Sequence, residues 1–135
     1  LLGVEVPNAA AAIRDTAAPL LKTTENILVT RGPMGAVLLT PEATYSARIA
    51  LKDVPIRTVG CGDYLLAGFL SRLTDTAPGP DGKAPPAAQP SQSRMEEALA
   101  TAVAVATARA VSTTLEEFDP AMLRKALGEI VVERI

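Results

Sequence analysis

The period of apolar and polar positions changes several times along the chain. In "AAAAIRDTAAPLLK" small and apolar residues recur at helical spacing, with Asn8 placed to cap the start and Pro19 to kink or end it. "ENILVTRG" then carries a short β-type run, Ile27 to Thr30, stopped by Gly32, and "GAVLLT" supplies a second strand. Pro41 and Glu42 make a turn. "ATYSARIAL" alternates polar with apolar, the mark of a strand with one solvated face. A brief strand is expected near Val54 to Thr58, a turn over Gly60 to Asp63 and a helix over about Tyr64 to Thr74.

Periodicity then disappears. "DTAPGPDGKAPPAAQPSQS", roughly residues 75–93, has five prolines and two glycines and predicts a surface loop. A Pro-rich partner motif is conceivable there, but a tolerated insertion is the simpler reading. "SRMEEALATAVAVATARAVS" follows as a long Ala-rich helix, with Ser93 and Glu96 spaced as a capping box. Asp119 and Pro120 open another helix in "DPAMLRKAL", and "EIVVERI" closes the chain as an edge or terminal strand. No internal repeat is present. Helix, strands, three helices and a strand make an α/β pattern.

Composition narrows the chemistry. Hydrophobic residues are 48% and charged residues 21%, enough for a packed core in one domain or a large piece of one. The net charge of −2 and the lack of Trp argue against nucleic acid as a partner. With no His, His-based triads and His metal sites are excluded. A single cysteine, Cys61, forms no internal disulfide, which fits a reducing, cytoplasmic setting. The longest mostly apolar run, Ala98 to Val111, is short, Ala- and Thr-rich and holds Arg109, so no membrane span is expected. Glu5 and Asn8 break any signal-peptide pattern. The chain begins at Leu1 rather than Met, as a piece of a longer protein would.

Two segments carry candidate chemistry. In Gly60-Cys61-Gly62-Asp63, glycines let backbone N–H groups converge, and the following helix adds the positive end of its dipole. That suits a phosphate or a developing negative charge, with Asp63 placed to take a proton from an attacking hydroxyl. The plainer reading is a tight turn with Asp63 as N-cap. The pattern is neither a P-loop, since no Gly-Lys-Ser/Thr follows, nor a dinucleotide fingerprint. In "VTRGPMGAVLL" the plain reading is a β-hairpin with a five-residue connection; the functional one is a loop whose backbone, Thr30 or Arg31 approaches a nucleotide phosphate. Cys61 at a helix start reads best as an inert small residue. The Ala-rich helix, Arg94 to Ser112, is core packing or leaves room for a flat ring such as adenine.

Taken in order, "VTRGPMGAVLL", "VPIRTVGCGDYLLAGFLSRL", the Ala-rich helix and "EEFDPAMLRKALGEIVVERI" resemble the C-terminal part of a PfkB-family (ribokinase-like) carbohydrate kinase. Thr58, Gly60, Gly62 and Asp63 match that family's T-x-G-A-G-D signature. Val59, "AGFL" and the "FDP…V…I" ending are most similar to the 1-phosphofructokinase and tagatose-6-phosphate kinase branch. The resemblance implies the C-terminal part of a three-layer α/β/α fold. It also implies ATP-dependent phosphorylation of a sugar or sugar-phosphate hydroxyl. Asp63 would be the base, and the N–H groups of Gly60, Cys61 and Gly62 the anion hole. Thr30, Arg31, Gly32 and Gly35 would lie along the nucleotide phosphates with Thr58 and Gly62. Ala104 to Thr107 would border the adenine.

Cys61 replaces the usual Ala of the signature, and Tyr64 replaces a usually small residue after the base. Arg57 stands where some members have an acid that helps bind a monovalent cation, so potassium activation is not carried over. Family members are about twice this length by resemblance. Sugar contacts, the β-sheet lid and the acidic Mg²⁺ motif would lie upstream of Leu1. The chain would then supply the ATP site, anion hole and base, be inactive by itself and self-associate through an exposed sheet edge. The alternative is a nucleotide-binding regulatory protein without catalysis, suggested by Tyr64 and Arg57.

Overall fold

A computed structural model describes residues 8–50, 58–74, 90–112 and 120–135. The first helix, α1, is Ala10–Ala17, and a single 3-10 turn at Leu20–Lys22 follows Pro19. Strands β1 (Ile27–Thr30), β2 (Ala36–Leu39) and β3 (Thr44–Ile49) form two successive hairpins. Helices α2 (Cys61–Thr74), α3 (Gln92–Val111) and α4 (Pro120–Glu129) come next. The last, β4 (Ile130–Arg134), follows α4 directly and pairs antiparallel with β3. The sheet order is β1-β2-β3-β4.

Alternation along the strands sorts the core into two layers. Leu28, Ala36, Leu38, Tyr45 and Ala47 pack with Leu65 and Phe69 of α2 and Met95, Ala98, Leu99, Ala102 and Val103 of α3. On the other face Ile27, Val29, Val37 and Leu39 pack with Ala10, Ile13 and Ala17 of α1. The described residues therefore stack as α1, sheet, and α2 with α3: the three-layer α/β/α arrangement expected from the sequence.

The solvated face expected of β3 is observed only at its end, where Arg48 is exposed. Thr44 and Ser46 pair with Leu39 and Val37, so they share the face that α1 covers. Both are buried, and an arginine meets each hydroxyl. Arg14 of α1 donates to Thr44 Oγ1. Arg31 donates to Ser46 Oγ at 2.8 Å, to the Met34 carbonyl at 3.0 Å and to the Asn8 carbonyl at 3.1 Å. Alternation predicts that these polar positions face water, whereas Thr44 and Ser46 face charged donors from neighbouring elements.

Helix ends also differ from expectation. Asn8 does not cap α1; the N-cap position is Ala9, without a side-chain bond. On α3 the cap is Ser91, whose hydroxyl accepts from the Arg94 N–H, two residues before the expected Ser93. The first turn of α2 begins at Cys61 rather than Tyr64. The expected strand at Val54 to Arg57, the cap Asp119 and most of the Pro-rich segment lie outside the described residues, and Thr58 itself is not in a strand.

The β1–β2 connection is the expected five-residue turn, Arg31 to Gly35, with a 3-10 turn at Gly32–Met34. Gly35 has φ +83, and a Cβ there would lie 2.0 Å from the Ala47 carbonyl oxygen. Only glycine fits between the turn and β3. Gly35→Ala should lower the unfolding free energy by about 2–3 kcal/mol, read from urea denaturation. Arg31→Ala should lower it by about 1 kcal/mol, because three acceptors lose their donor. An unchanged urea midpoint in Gly35→Ala would contradict the close approach.

Candidate functional site

α2 and α3 run antiparallel, so the start of α2 meets the end of α3. Gly68 makes the approach close: a Cβ there would sit 3.1 Å from the Ala102 Cα and 3.2 Å from Val105. Far from the site, Arg94 donates to the carbonyls of Arg72 (2.9 Å) and Leu73 (3.1 Å), capping the end of α2. Ser71 and Thr74 turn their hydroxyls back onto the helix carbonyls of Gly68 and Leu70.

At the near end the first turn of α2 is set by Gly60. Its φ of +82 reverses the chain, and its carbonyl accepts the Tyr64 N–H at 3.1 Å. Gly60 is therefore the N-cap and Asp63 the third helical residue. This overturns the reading of Asp63 as N-cap, since the helix starts three residues too early for it. A carboxylate in that turn still gains from the helix dipole. The N–H of Cys61 reaches the Thr58 carbonyl at 3.4 Å, while helix geometry leaves the next donors of the turn without a carbonyl of their own helix.

Between this turn, the β1–β2 connection and α3 lies a cavity of about 290 Å³. Thr30, Gly32, Pro33 and Gly35 line it from the hairpin, and Thr58, Cys61, Gly62 and Leu65 from the α2 turn. Val103, Ala106, Thr107 and Ala110 line it from α3. Most of the residues singled out in the sequence thus meet in one place. Arg31, Gly60, Asp63 and Ala104 do not form its wall. Arg31 is held on the α1 face by the bonds described above, and burial, then the like charge of Arg48, pull its guanidinium below its ordinary value. Ala104 is wholly buried in the helix packing. Asp63 is exposed and follows Gly62 directly in the sequence.

The span Ala104 to Thr107 holds two residues of the α3 wall, Ala106 and Thr107, but leaves out Val103 and Ala110. Positions 103, 106, 107 and 110 follow i, i+3, i+4, i+7, one stripe of a helix. Counted from Thr107 the stripe adds Val103 and Ala110, at i−4 and i+3; Ala104, at i−3, fits the same spacing but is buried in the helix packing and does not line the cavity. Ile49 also lines the cavity, from the end of β3.

Glycines shape the polar wall. Among the described residues a Cβ on Gly62 would meet nothing within 4 Å, nor would one on Gly60 or Gly32. Gly62 is helical, where glycine costs stability relative to alanine, and no neighbour among the described residues demands it. Burial pushes the Cys61 thiol above the usual thiol range, and Arg109 of α3 draws it part of the way back. The Arg109 guanidinium lies over the Tyr64 ring, 5.3 Å from its centroid. Among the described residues no three His, Cys, Asp or Glu side chains gather as a metal site, and no helix is long and apolar enough to cross a membrane.

Solved structures share this fold. A Staphylococcus aureus protein assigned as a phosphofructokinase superposes with a TM-score of 0.69 at 21% identity, over 96% of this chain and 36% of its own. A Vibrio cholerae fructokinase, crystallised with fructose, ADP and a calcium ion, gives 0.64 at 22% identity over 93% of this chain and 36% of its own. A Thermotoga maritima protein assigned as a 1-phosphofructokinase gives 0.64 at 17% identity over 100% and 37%. The chain thus spans little more than a third of their length, rather than the expected half. A search of curated proteins gives no match. The model of the pfkB family of carbohydrate kinases matches residues 3–119, most of the sequence, and the chain belongs to that family.

Proposed function

We propose that this chain supplies the ATP-binding part of a sugar or sugar-phosphate kinase. The observation that carries the reading is the cavity where hairpin, α2 turn and α3 stripe converge, with Gly62 facing open space on its wall. A glycine kept in a helix without a packing reason fits a ligand that comes up against the backbone. The apolar stripe Val103, Ala106 and Ala110 suits a flat ring, and Thr30, Thr58 and Thr107 offer hydroxyls beside it. A related fold crystallised with fructose and ADP agrees with both substrates.

In this reading the backbone donors of the α2 turn hold the transferred phosphoryl group, and the exposed Asp63 faces the acceptor. Its carboxylate takes the proton of the sugar hydroxyl as that oxygen attacks phosphorus. The bond from phosphorus to the ADP oxygen breaks, and ADP leaves. Magnesium would offset the phosphate charge, with ligands outside the described residues. The sugar contacts would likewise lie beyond this chain, which by itself would bind nucleotide without turnover. Self-association fits an edge strand, β1, that reads "ILVT" and carries no charge, whereas β4 carries Glu133 and Arg134. Light scattering should then give a mass above that of one chain, and a single-chain mass at high concentration contradicts this.

Cys61 gives a direct test, because it lines the cavity and is the sole cysteine. ADP should slow its alkylation by iodoacetamide; an unchanged rate at saturating ADP would sink the reading. Gly62→Ala should raise stability by about 0.5–1 kcal/mol, because alanine is the better helix former and the Cβ has room. The same variant should weaken ADP binding about tenfold, by calorimetry. In the longest form of the protein, assayed with fructose 1-phosphate, fructose 6-phosphate and tagatose 6-phosphate, Asp63→Asn should cut turnover roughly 10²–10⁴-fold. Full turnover in that variant removes the base from Asp63.

A further inference from the structure

The first turn of α2 must be held in place if its donors are to face a nucleotide. Gly60 and Gly62 cannot do this by packing, since neither offers a side chain. Leu65 is buried and anchors the second turn from below. On the outer side Tyr64 is 37% exposed, and its ring meets the Arg109 guanidinium of α3. Arg109 belongs to the last turn of α3, where a cation is also favoured by the helix dipole. It directly precedes Ala110 and lies three residues after Ala106, both of which line the cavity.

The two ends of the α2–α3 pair are thus fastened differently. At the far end Arg94 grips two carbonyls of α2. At the near end a cation rests on an aromatic ring. We infer that Arg109, seated on Tyr64, is a positioning residue that sets the α2 first turn against the nucleotide wall of α3. The inference rests on the ATP-site reading for its consequence, but the seat itself is a property of this chain. Tyr64 then has a role where related kinases are expected to carry a small residue: it occupies the outer side of the turn rather than crowding the cavity, which it does not line.

Cys61 reports on the seat, because it starts the turn and the charge drawing its thiol down is Arg109. Four single variants separate the parts: Arg109→Met, Arg109→Lys, Tyr64→Leu and Tyr64→Phe. Each is checked first for a native thermal melt. The pH at which Cys61 alkylation is half-maximal should rise in Arg109→Met, where the cation is gone. It should rise also in Tyr64→Leu, where the cation remains but its platform is lost. Lysine and phenylalanine, which keep cation and ring, should restore most of the original profile.

ADP binding supplies the second readout. Arg109→Met and Tyr64→Leu should each weaken it about tenfold, and the double variant no further, since both remove one contact. A Tyr64→Leu protein with an unchanged Cys61 profile overturns the inference. So does a double variant whose losses in ADP affinity simply add. If the unaltered chain binds no ADP, the ATP-site reading fails, and the alkylation profiles still decide whether Arg109 sets the turn.

Discussion

How closely α2 approaches α3 governs the rest of the site. Gly68 leaves its backbone in contact range of the Ala102 Cα, with no side chain between. One bulky residue at either position would push the helices apart. The first turn of α2 would then swing away from the stripe at Val103, Ala106 and Ala110, and the cavity between them would open to solvent. An Ala-rich helix looks featureless as a sequence. Its small residues are what allow a neighbouring helix to bring a turn of backbone donors to a fixed distance.

On the opposite face of the sheet the chain solves a different problem. Thr44 and Ser46 are buried beside Val37 and Leu39, and unpaired hydroxyls there would be costly. Arg14 and Arg31 satisfy them while reaching toward solvent, and each also ties a turn to the layer: Arg14 to the carbonyl of Thr40, Arg31 to that of Met34. Arg31 thereby stiffens the connection whose glycines line the cavity on the other side. Its contribution to the site is indirect, through the shape of the hairpin. The surface pair Arg48–Glu133, at 3.6 Å and more than half exposed, adds little by comparison.

Much of this was legible in the residues. Short apolar runs bounded by Gly and Pro marked β1 and β2, and Pro120 marked the start of α4. The turn at Gly60 was readable because two glycines before an acid and an amphipathic run have few other uses. Three things were not readable. Burial of Thr44 and Ser46 on β3 is one, because alternation shows that two faces differ, not what covers each. Arg31 was placed toward phosphate because the sequence shows it in the loop but not which way it leaves. The span Ala104 to Thr107 takes in the buried Ala104 and stops short of Val103 and Ala110, because an alanine run has no contrast from which to read a helical phase. In each case the missing information was a long-range neighbour.

The last strand has such neighbours too. β4 pairs Ile130 through Arg134 with Ile49 through Tyr45, so its partners were laid down before any of α2, α3 and α4. With no residue between α4 and β4, the strand reaches β3 only if α4 already points the right way along α3. During synthesis β3 therefore stays an open edge until β4 emerges. The slow step in forming this sheet is expected to be that closure, a contact of long sequence separation, rather than the hairpins that form beside it.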